Sequence, residues 1–169
     1  MRSIGVVTVG RSDYGILTPI LKLMQRDADE IETRLYVTGA HLDPEFGETK
    51  IEFPVYERLP MTLSWDTPES IATSIGLGIV QFAQSFGRSQ PDILVLLGDR
   101  YEMMAACIAA WCFRIPIAHI HGGESTEGAM DEQIRHAITM MSNYHFASTP
   151  YYVQRIKQMG EAIGRKVSP

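Results

Sequence analysis

The chain has 169 residues, of which 45% are hydrophobic and 21% are charged, and its formal net charge is −5 at pH 7. These values are typical of one globular domain and exclude a disordered, collagen-like or disulfide-stapled chain. The mild acidity argues against a broad nucleic-acid or membrane-binding surface. No apolar run is long enough to cross a bilayer and no signal-peptide pattern precedes the first strand, so we expect a cytoplasmic protein.

Hydrophobic periodicity predicts strands and helices that alternate along the whole chain. In the first helix, Pro19 lies either in an early turn of a helix that begins near Asp13 or directly after an N-cap at Thr18. Thr67 is the predicted N-cap of the next helix, with Pro68 in its first turn. The predicted strands cover residues 3–9, 32–38, 53–56, 92–97, 115–121 and 144–147, and the later helices begin near residues 101, 131 and 150.

This alternation predicts an α/β domain with a mainly parallel sheet that is wound right-handedly. Ligands of such folds bind outside the carboxyl ends of the strands. Four of these strand ends combine glycine with a charged or titratable residue, so we expect the chemistry at this edge of the sheet. The four segments are residues 10–13, 39–41, 98–100 and 121–124.

The two cysteines, Cys107 and Cys112, lie five residues apart in one apolar helix. At this spacing their side chains point to different faces, so a disulfide between them is geometrically poor. We therefore expect both to be buried, reduced thiols.

The segment Gly10-Arg11-Ser12-Asp13-Tyr14-Gly15 follows the first strand and precedes a helix. Exposed amides at a helix start, together with the Arg11 guanidinium, suit a phosphate or a diphosphate. The segment lacks the third glycine of the dinucleotide-binding pattern and the lysine of a P-loop. A simple turn with Ser12 or Asp13 as the N-cap is the alternative.

The segment Gly98-Asp99-Arg100 follows the most hydrophobic strand. Asp99 could face a ligand at the strand end, and Arg100 could neutralise an anion beside it. Alternatively, Asp99 is an N-cap and Arg100 is merely solvated.

The segment His119-Ile120-His121-Gly122-Gly123-Glu124 is the richest in functional side chains. On a strand, His119 and His121 would share one face, and with Glu124 and Asp99 they could ligate a metal. Alternatively, His121 or Glu124 is a general acid or base beside glycines that let a substrate approach. We interpret His119, which lies deeper in the strand, as a core histidine and His121 as functional.

Asp131 and Glu132 stand at the start of a predicted helix, with Asp131 as its cap. Acidic residues complement the helix dipole there, which is a sufficient structural reason for both. If this helix start faces the ligand site, the two residues join Asp99 as carboxylates that could divide acid and base roles.

Together, these segments resemble the amino-terminal half of the hydrolysing UDP-N-acetylglucosamine 2-epimerases of sialic-acid and related nonulosonic-acid synthesis. The resemblance runs through most of the chain in the family's order. The segments LGDRYE (97–102) and HIHGGE (119–124) are specific, and the further matching segments are residues 10–15, 37–41 and 131–139.

The resemblance implies a three-layer Rossmann-like domain at residues 1–169, as one half of a two-domain fold like the GT-B glycosyltransferases. The active site would then lie in the cleft between the halves. Family members are about twice as long, so a linker strand would begin near residues 163–169 and lead to a carboxyl-terminal nucleotide-binding half. The chain alone is therefore expected to be weakly active or inactive, and the full-length protein could be a homo-oligomer.

The resemblance also implies a UDP-linked 2-acetamido sugar as the substrate, without a cofactor or a metal. UDP would leave carbon one by anti elimination while a base takes the proton from carbon two. Water would then add to the glycal, which releases N-acetylmannosamine and UDP. The implied catalytic residues are Asp99, His121, Glu124, Asp131 and Glu132, and the implied substrate-binding residues are Arg11, Ser12, His41, Arg100 and His136.

Many relatives have glutamate at the position of His121, so the resemblance does not assign which group moves which proton. The same chemistry could act on a UDP-2,4-diacetamido-trideoxy sugar of a legionaminic-type pathway. A metal-dependent hydrolase built on His119, His121, Glu124 and Asp99 and a non-catalytic nucleotide-sugar-binding module are the alternatives from other classes.

Overall fold

The computed structural model describes residues 1–46, 49–61, 67–125 and 130–162, and the predicted linker segment 163–169 lies outside these ranges. Strands and helices alternate as the hydrophobic pattern predicts. The strands are β1 (Arg2–Thr8), β2 (Ile31–Val37), β3 (Val55–Arg58), β4 (Ile93–Leu97), β5 (Ile117–Ile120) and β6 (Tyr144–Phe146). The α-helices are α1 (Arg11–Arg26), α2 (Pro68–Arg88), α3 (Tyr101–Cys112), α4 (Met130–Met141) and α5 (Pro150–Ala162).

The strands form one parallel sheet in the order β3-β2-β1-β4-β5-β6. Val6 of β1 pairs with Leu35 of β2 on one side and with Val95 of β4 on the other. The chain runs outward from β1 to β3 and then returns through α2 to β4, so the direction of winding reverses between β1 and β4. This reversal is the switch point at which open α/β sheets bind ligands.

The central strands are buried on both faces, as their continuous aliphatic runs predict, and Val6, Leu94 and Leu96 are fully buried. Helix α2 packs on α3, and α3 packs on α4. A Cβ at Gly78 of α2 would lie 2.8 Å from the Cβ of Ala105 in α3, so a larger residue at this position would separate the helices. The predicted α/β class and parallel sheet are confirmed. None of the helices in the described ranges has the length and apolar character needed to span a bilayer.

Helix α1 follows the first of the two alternatives, a start near Asp13, to within two residues. It begins at Arg11 after Gly10, and Pro19 lies in its interior. Proline removes one backbone N–H donor, which leaves the carbonyl of Gly15 without its usual partner. Because Gly15 and Pro19 are both exposed, water can take the place of that donor. The prediction of Thr67 as an N-cap is confirmed, since its side chain accepts a hydrogen bond from the Ser70 N–H at 3.1 Å.

The expectation of two buried thiols is half right. Cys107 is buried, and burial raises the pKa of its thiol to about 12, but Cys112 is exposed at the end of α3. Strand β3 also begins two residues later than predicted, at Val55. These local errors leave the carboxyl edge of the sheet where the pattern predicts it.

Candidate active site

The loops after β4 and β5 meet at the side chain of Arg135, which projects from α4 and is only 9% exposed. Its Nη2 pairs with Asp99 Oδ2, and its Nη1 donates to Glu124 Oε2 and to the backbone oxygen of His121, both at 3.1 Å. Two predicted catalytic carboxylates therefore share one buried guanidinium. We call Arg135, Asp99, His121, Glu124 and Ser148 the Arg135 cluster.

The sequence interpretation did not single out Arg135. A signal was nevertheless available, because Arg135 precedes the buried residues Ile138 and Thr139 by three and four positions on the same helix face. A charged residue at the spacing of an apolar stripe needs an anionic partner, since an unpaired buried charge is strongly destabilising.

The side chain of His121 completes the Arg135 cluster. Its Nδ1 lies 2.8 Å from Glu124 Oε1, and the same oxygen accepts the Ser148 hydroxyl at 2.6 Å. A carboxylate can only accept hydrogen bonds, so Nδ1 carries a proton and Nε2 of the neutral ring keeps its lone pair. The His121 side chain is 36% exposed, so the ring can be reached from solvent.

The prediction that His119 and His121 share one strand face is wrong. Strand β5 ends at Ile120, and His121 takes a φ of +63°, in the left-handed region. This turn carries the His121 side chain away from the face on which His119 is buried. Left-handed backbone is uncommon outside glycine and tends to occur at functional sites.

The interpretation of His119 as a core histidine is confirmed. It is fully buried, its Nε2 donates to the Gly98 carbonyl at 2.7 Å, and its Nδ1 lies 3.2 Å from the Thr139 hydroxyl. Burial lowers its pKa to about 4. In the part of the chain that the structure describes, no three His, Cys, Asp or Glu side chains are placed to hold a metal ion, so the four-residue metal set is not assembled there.

A second group of side chains joins α4 to α5. Glu132 Oε1 accepts from Ser125 at 2.9 Å and from Arg155 at 3.1 Å, and His136 Nε2 lies 3.3 Å from the same oxygen. The hydrogen bonds from Ser125 and Arg155 lower the pKa of Glu132. Glu132 is thereby held as an anion, which suits an electrostatic or positioning role better than proton donation.

Asp131 lies within the first turn of α4 and not before it, so it is not the predicted N-cap. It is half-buried, and among the described residues no ion pair connects it to Arg135 or Arg155. The structure therefore assembles Asp99, His121 and Glu124 in one cluster and Glu132 with His136 in another, while Asp131 stands outside both sets of ion pairs.

At the ends of β1 and β2, the residues Thr8, Asp13 and His41 form a buried relay that we call the Thr8 cluster. Asp13 Oδ2 accepts the Thr8 hydroxyl at 2.7 Å and the Val9 N–H at 2.8 Å. The Thr8 oxygen lies 2.9 Å from His41 Nε2. Asp13 thus reaches back to the end of β1, whereas the predicted N-cap position is occupied by Gly10.

The hydroxyl of Thr8 has one hydrogen, which it donates in the hydrogen bond to Asp13. His41 Nε2 must therefore donate to the Thr8 oxygen, which leaves Nδ1 as the acceptor in the neutral ring. Burial is the main cause that lowers the pKa of His41, Asp13 opposes it, and the charges of Arg58 and Arg11 add to it. The Thr8 cluster is therefore a hydrogen-bond relay around an uncharged histidine.

Cationic side chains flank the switch point between the two clusters. Arg11 and Ser12 are exposed in the first turn of α1, where backbone amides and the helix dipole favour an anion. The Arg100 side chain is 52% exposed, but one edge of its guanidinium is bound to Glu102. The site thus combines a place for an anion with a cluster of acid/base groups.

Fold and site together define a class: an α/β, Rossmann-like domain with a parallel sheet, whose structural neighbours are of the GT-B type. The UDP-N-acetylglucosamine 2-epimerase family model matches residues 23–166, and the chain belongs to this family.

The chain is 41% identical over 166 residues to the UDP-N,N'-diacetylbacillosamine 2-epimerase (hydrolyzing) of Legionella pneumophila. This match covers 95% of the chain and 44% of that relative. It is 38% identical over 164 residues to the GDP/UDP-N,N'-diacetylbacillosamine 2-epimerase (hydrolyzing) of Campylobacter jejuni. This match covers 95% of the chain and 42% of that relative. The chain therefore spans less than half the length of these curated relatives.

Among solved structures, the fold matches the UDP-GlcNAc 2-epimerase of Neisseria meningitidis bound to UDP-GlcNAc. The TM-score is 0.75 at 21% identity, and the match covers 94% of this chain and 43% of that chain. At this identity the likeness concerns the fold, and it confirms the Rossmann-like architecture that the resemblance implies.

Proposed function

We propose that this chain is the amino-terminal half of a hydrolysing 2-epimerase for UDP-linked 2-acetamido sugars. Its reaction would convert UDP-N-acetylglucosamine and water to N-acetylmannosamine and UDP. Membership of the family supports the reaction class. The observation that carries the proposal is the Arg135 cluster, in which Asp99, His121 and Glu124 are held together at the ligand-binding edge of the sheet.

In the elimination step, a base removes the proton from carbon two while the bond between carbon one and the UDP oxygen breaks. The electron pair of the C–H bond becomes the double bond of the glycal, and UDP leaves with the electrons of the C–O bond. In the hydration step, the oxygen of water bonds to carbon one while a base takes one proton of that water. The electron pair of the double bond forms the new C–H bond at carbon two, with a proton delivered from the opposite face. The reaction therefore needs two proton-transferring groups.

His121 and Asp99 are our candidates for these groups. The bond from Nδ1 to Glu124 orients the His121 ring and leaves Nε2 to accept or donate a proton. The guanidinium of Arg135 pairs with Asp99 beside it. General acid and base groups of this kind typically contribute about 10²- to 10⁴-fold each. Asp131 and Glu132 remain further candidates by resemblance.

The diphosphate would bind at the switch point. Arg11, Ser12 and the amides at the start of α1 offer positive charge and hydrogen-bond donors, and Arg100 approaches from the end of β4. The second half of the protein would complete the uridine and diphosphate pocket, which is why we expect little activity from residues 1–169 alone.

A second substrate is favoured by a specific observation. Two relatives at 41% and 38% identity are both named for diacetylbacillosamine, a 2,4-diacetamido-trideoxy sugar. Elimination and hydration at carbons one and two are the same for both substrates. The choice between them depends on contacts to carbons four and six.

The test uses the complete protein of which this chain would be one half, with UDP-N-acetylglucosamine and UDP-N,N'-diacetylbacillosamine supplied in parallel. We expect UDP release from at least one of them, retained after dialysis against a chelator and lost in Asp99→Asn. The proposal is wrong if neither sugar releases UDP. Activity that disappears on chelation and returns with zinc or manganese would favour the metal-dependent hydrolase instead.

A further inference from the structure

Glu102, in the first turn of α3, is a fully buried carboxylate at the edge of the site. Moving a charged carboxylate out of water is costly unless it is paired and hydrogen-bonded. None of the roles proposed above uses this residue. Its burial nevertheless demands a partner, and the partner lies at the proposed diphosphate site.

The partner is Arg100, two residues earlier in the chain. Its Nε donates to Glu102 Oε2 at 3.2 Å and its Nη2 donates to Glu102 Oε1 at 3.0 Å. Two parallel hydrogen bonds of this kind fix the plane of a guanidinium as well as its position. The Arg100 side chain is nevertheless 52% exposed, and its Nη1 makes neither of the two hydrogen bonds to Glu102.

The buried carboxylate also reaches the loop after β2. Gly39 has a φ of +59°, and a Cβ on it would lie 3.0 Å from Glu102 Oε1 and 2.9 Å from the carbonyl oxygen of Val9. The backbone after β2 thus closes over Glu102, and only glycine allows both this conformation and this approach. The loop after β2 is therefore packed against Glu102 on one side and against the end of β1 on the other.

We infer that Glu102 is a positioning residue for the diphosphate site. Its carboxylate holds one edge of the Arg100 guanidinium so that the other edge meets the diphosphate of the nucleotide sugar. This inference rests on the proposed function. An exposed arginine without such a support loses rotamer freedom when it binds an anion, whereas Arg100 is already ordered before the ligand arrives.

A pre-ordered arginine strengthens binding of the diphosphate, which is present in both the substrate and the released UDP. It does not touch the carbon atoms at which bonds break. Loss of Glu102 should therefore weaken ground-state binding and leave the chemical step nearly unchanged, whereas loss of Asp99 should act on the chemical step.

The first experiment measures KM and kcat for the nucleotide sugar and the Kd for UDP in the complete protein. In Glu102→Gln, which keeps the shape but weakens the hold on Arg100, we expect KM and the Kd for UDP to rise about tenfold, with kcat within twofold of the unmodified protein. Arg100→Lys, which cannot form the double hydrogen bond, should behave alike. The matched control is Arg26→Ala at the opposite edge of the sheet, which should change neither constant.

A fall in kcat at constant KM, or an unchanged Kd for UDP in Glu102→Gln, would overturn the inference. If the unmodified protein neither binds UDP nor releases it from either sugar, the proposed function fails, and the inference fails with it as a statement about a diphosphate. The pairing of Glu102 with Arg100 can still be tested separately by stability.

The second experiment is a double-mutant cycle on thermal unfolding of the 169-residue chain, which needs no ligand. Arg100→Ala leaves a buried carboxylate unpaired and should lower Tm by roughly 5 to 10 °C. Adding Glu102→Gln removes that charge and should restore most of the loss. Additive losses in the double variant would show that the two side chains do not act as a unit and would refute the inference.

Discussion

Two histidines at the same edge of the sheet are each connected to a carboxylate, but in opposite ways. His121 binds Glu124 directly through Nδ1 and is partly exposed. His41 reaches Asp13 only through the hydroxyl of Thr8, uses Nε2, and is buried. The acceptor nitrogen is therefore Nε2 in His121 of the Arg135 cluster and Nδ1 in His41 of the Thr8 cluster.

Under the proposed function, the Arg135 cluster is the place of proton transfer and the Thr8 cluster is a rigid support. The Arg135 cluster contains two carboxylates, a guanidinium and an exposed imidazole, so its charges can respond to a ligand. In the Thr8 cluster a neutral hydroxyl stands between the acid and the histidine, and burial lowers the pKa of His41. We expect substitutions in the first cluster to affect catalysis most and substitutions in the second to affect stability and ring orientation.

The largest expected effect comes from removing a charge in the Arg135 cluster. Asp99→Asn in the complete protein should slow UDP release by about 10³-fold, because the variant cannot carry the proton or balance Arg135. The measurement is steady-state UDP release from both candidate sugars. Asp29→Asn, exposed at the opposite edge, is the control and should match the unmodified protein. A loss of less than tenfold would remove Asp99 from the catalytic groups.

The next effect is structural and concerns the buried guanidinium. Arg135→Met leaves Asp99 and Glu124 without their shared partner and should lower the free energy of unfolding by about 3 kcal/mol. Arg155→Met removes a more exposed partner of Glu132 and should cost less than about 1 kcal/mol. Urea unfolding of the 169-residue chain measures both. Equal losses would mean that Arg135 is not the organising charge of its cluster.

Acid unfolding tests His119, the buried core histidine of β5. Its folded pKa of about 4 lies below the ordinary 6.5, mainly through burial, with His145, Arg135 and His121 as charged or titratable neighbours. The unfolded chain therefore binds this proton first, and stability is fully present above pH 6.5 and is lost as the pH falls toward 4. The expected loss is about 3 kcal/mol.

His119→Gln should flatten this pH dependence, because glutamine cannot take up the proton. Urea unfolding at several pH values between 4 and 7 measures the slope in both chains. An unchanged slope in the variant would assign the acid sensitivity to other groups, with His41 as the next candidate because its pKa is also lowered.

The smallest expected effect tests the Thr8 cluster. Thr8→Val removes the hydroxyl that Asp13 and His41 share and should cost about 1 to 2 kcal/mol of unfolding free energy. Thr33→Val is the matched control: the Thr33 hydroxyl is buried without a hydrogen-bond partner among the described residues, so its loss should be neutral or stabilising.

Nitrogen NMR of the imidazole rings sharpens the contrast further. We expect the proton on Nε2 for His41 and on Nδ1 for His121, with the His41 preference weakened in Thr8→Val. The same tautomer in both histidines would contradict the distinction between the two clusters.

Sequence reasoning placed most elements within a few residues and brought the candidate site residues to the carboxyl edge of the sheet. Asp99, His121 and Glu124 could be predicted because each stands next to a glycine at a strand end. The left-handed backbone at His121 could not be predicted, because its side-chain type also suits a strand and only the end of β5 at Ile120 turns it away.

The sequence alone determined the α/β alternation and the residue types at the carboxyl edge of the sheet, because hydrophobic periodicity and glycine placement are local signals. The tertiary structure decided which of these side chains contact each other. Arg135 meets Asp99 from 36 residues away, and Thr8 meets His41 from 33 residues away, only because parallel strands bring their carboxyl ends to one edge. Which nitrogen of each histidine carries the proton follows from those partners, so it is a property of the folded chain.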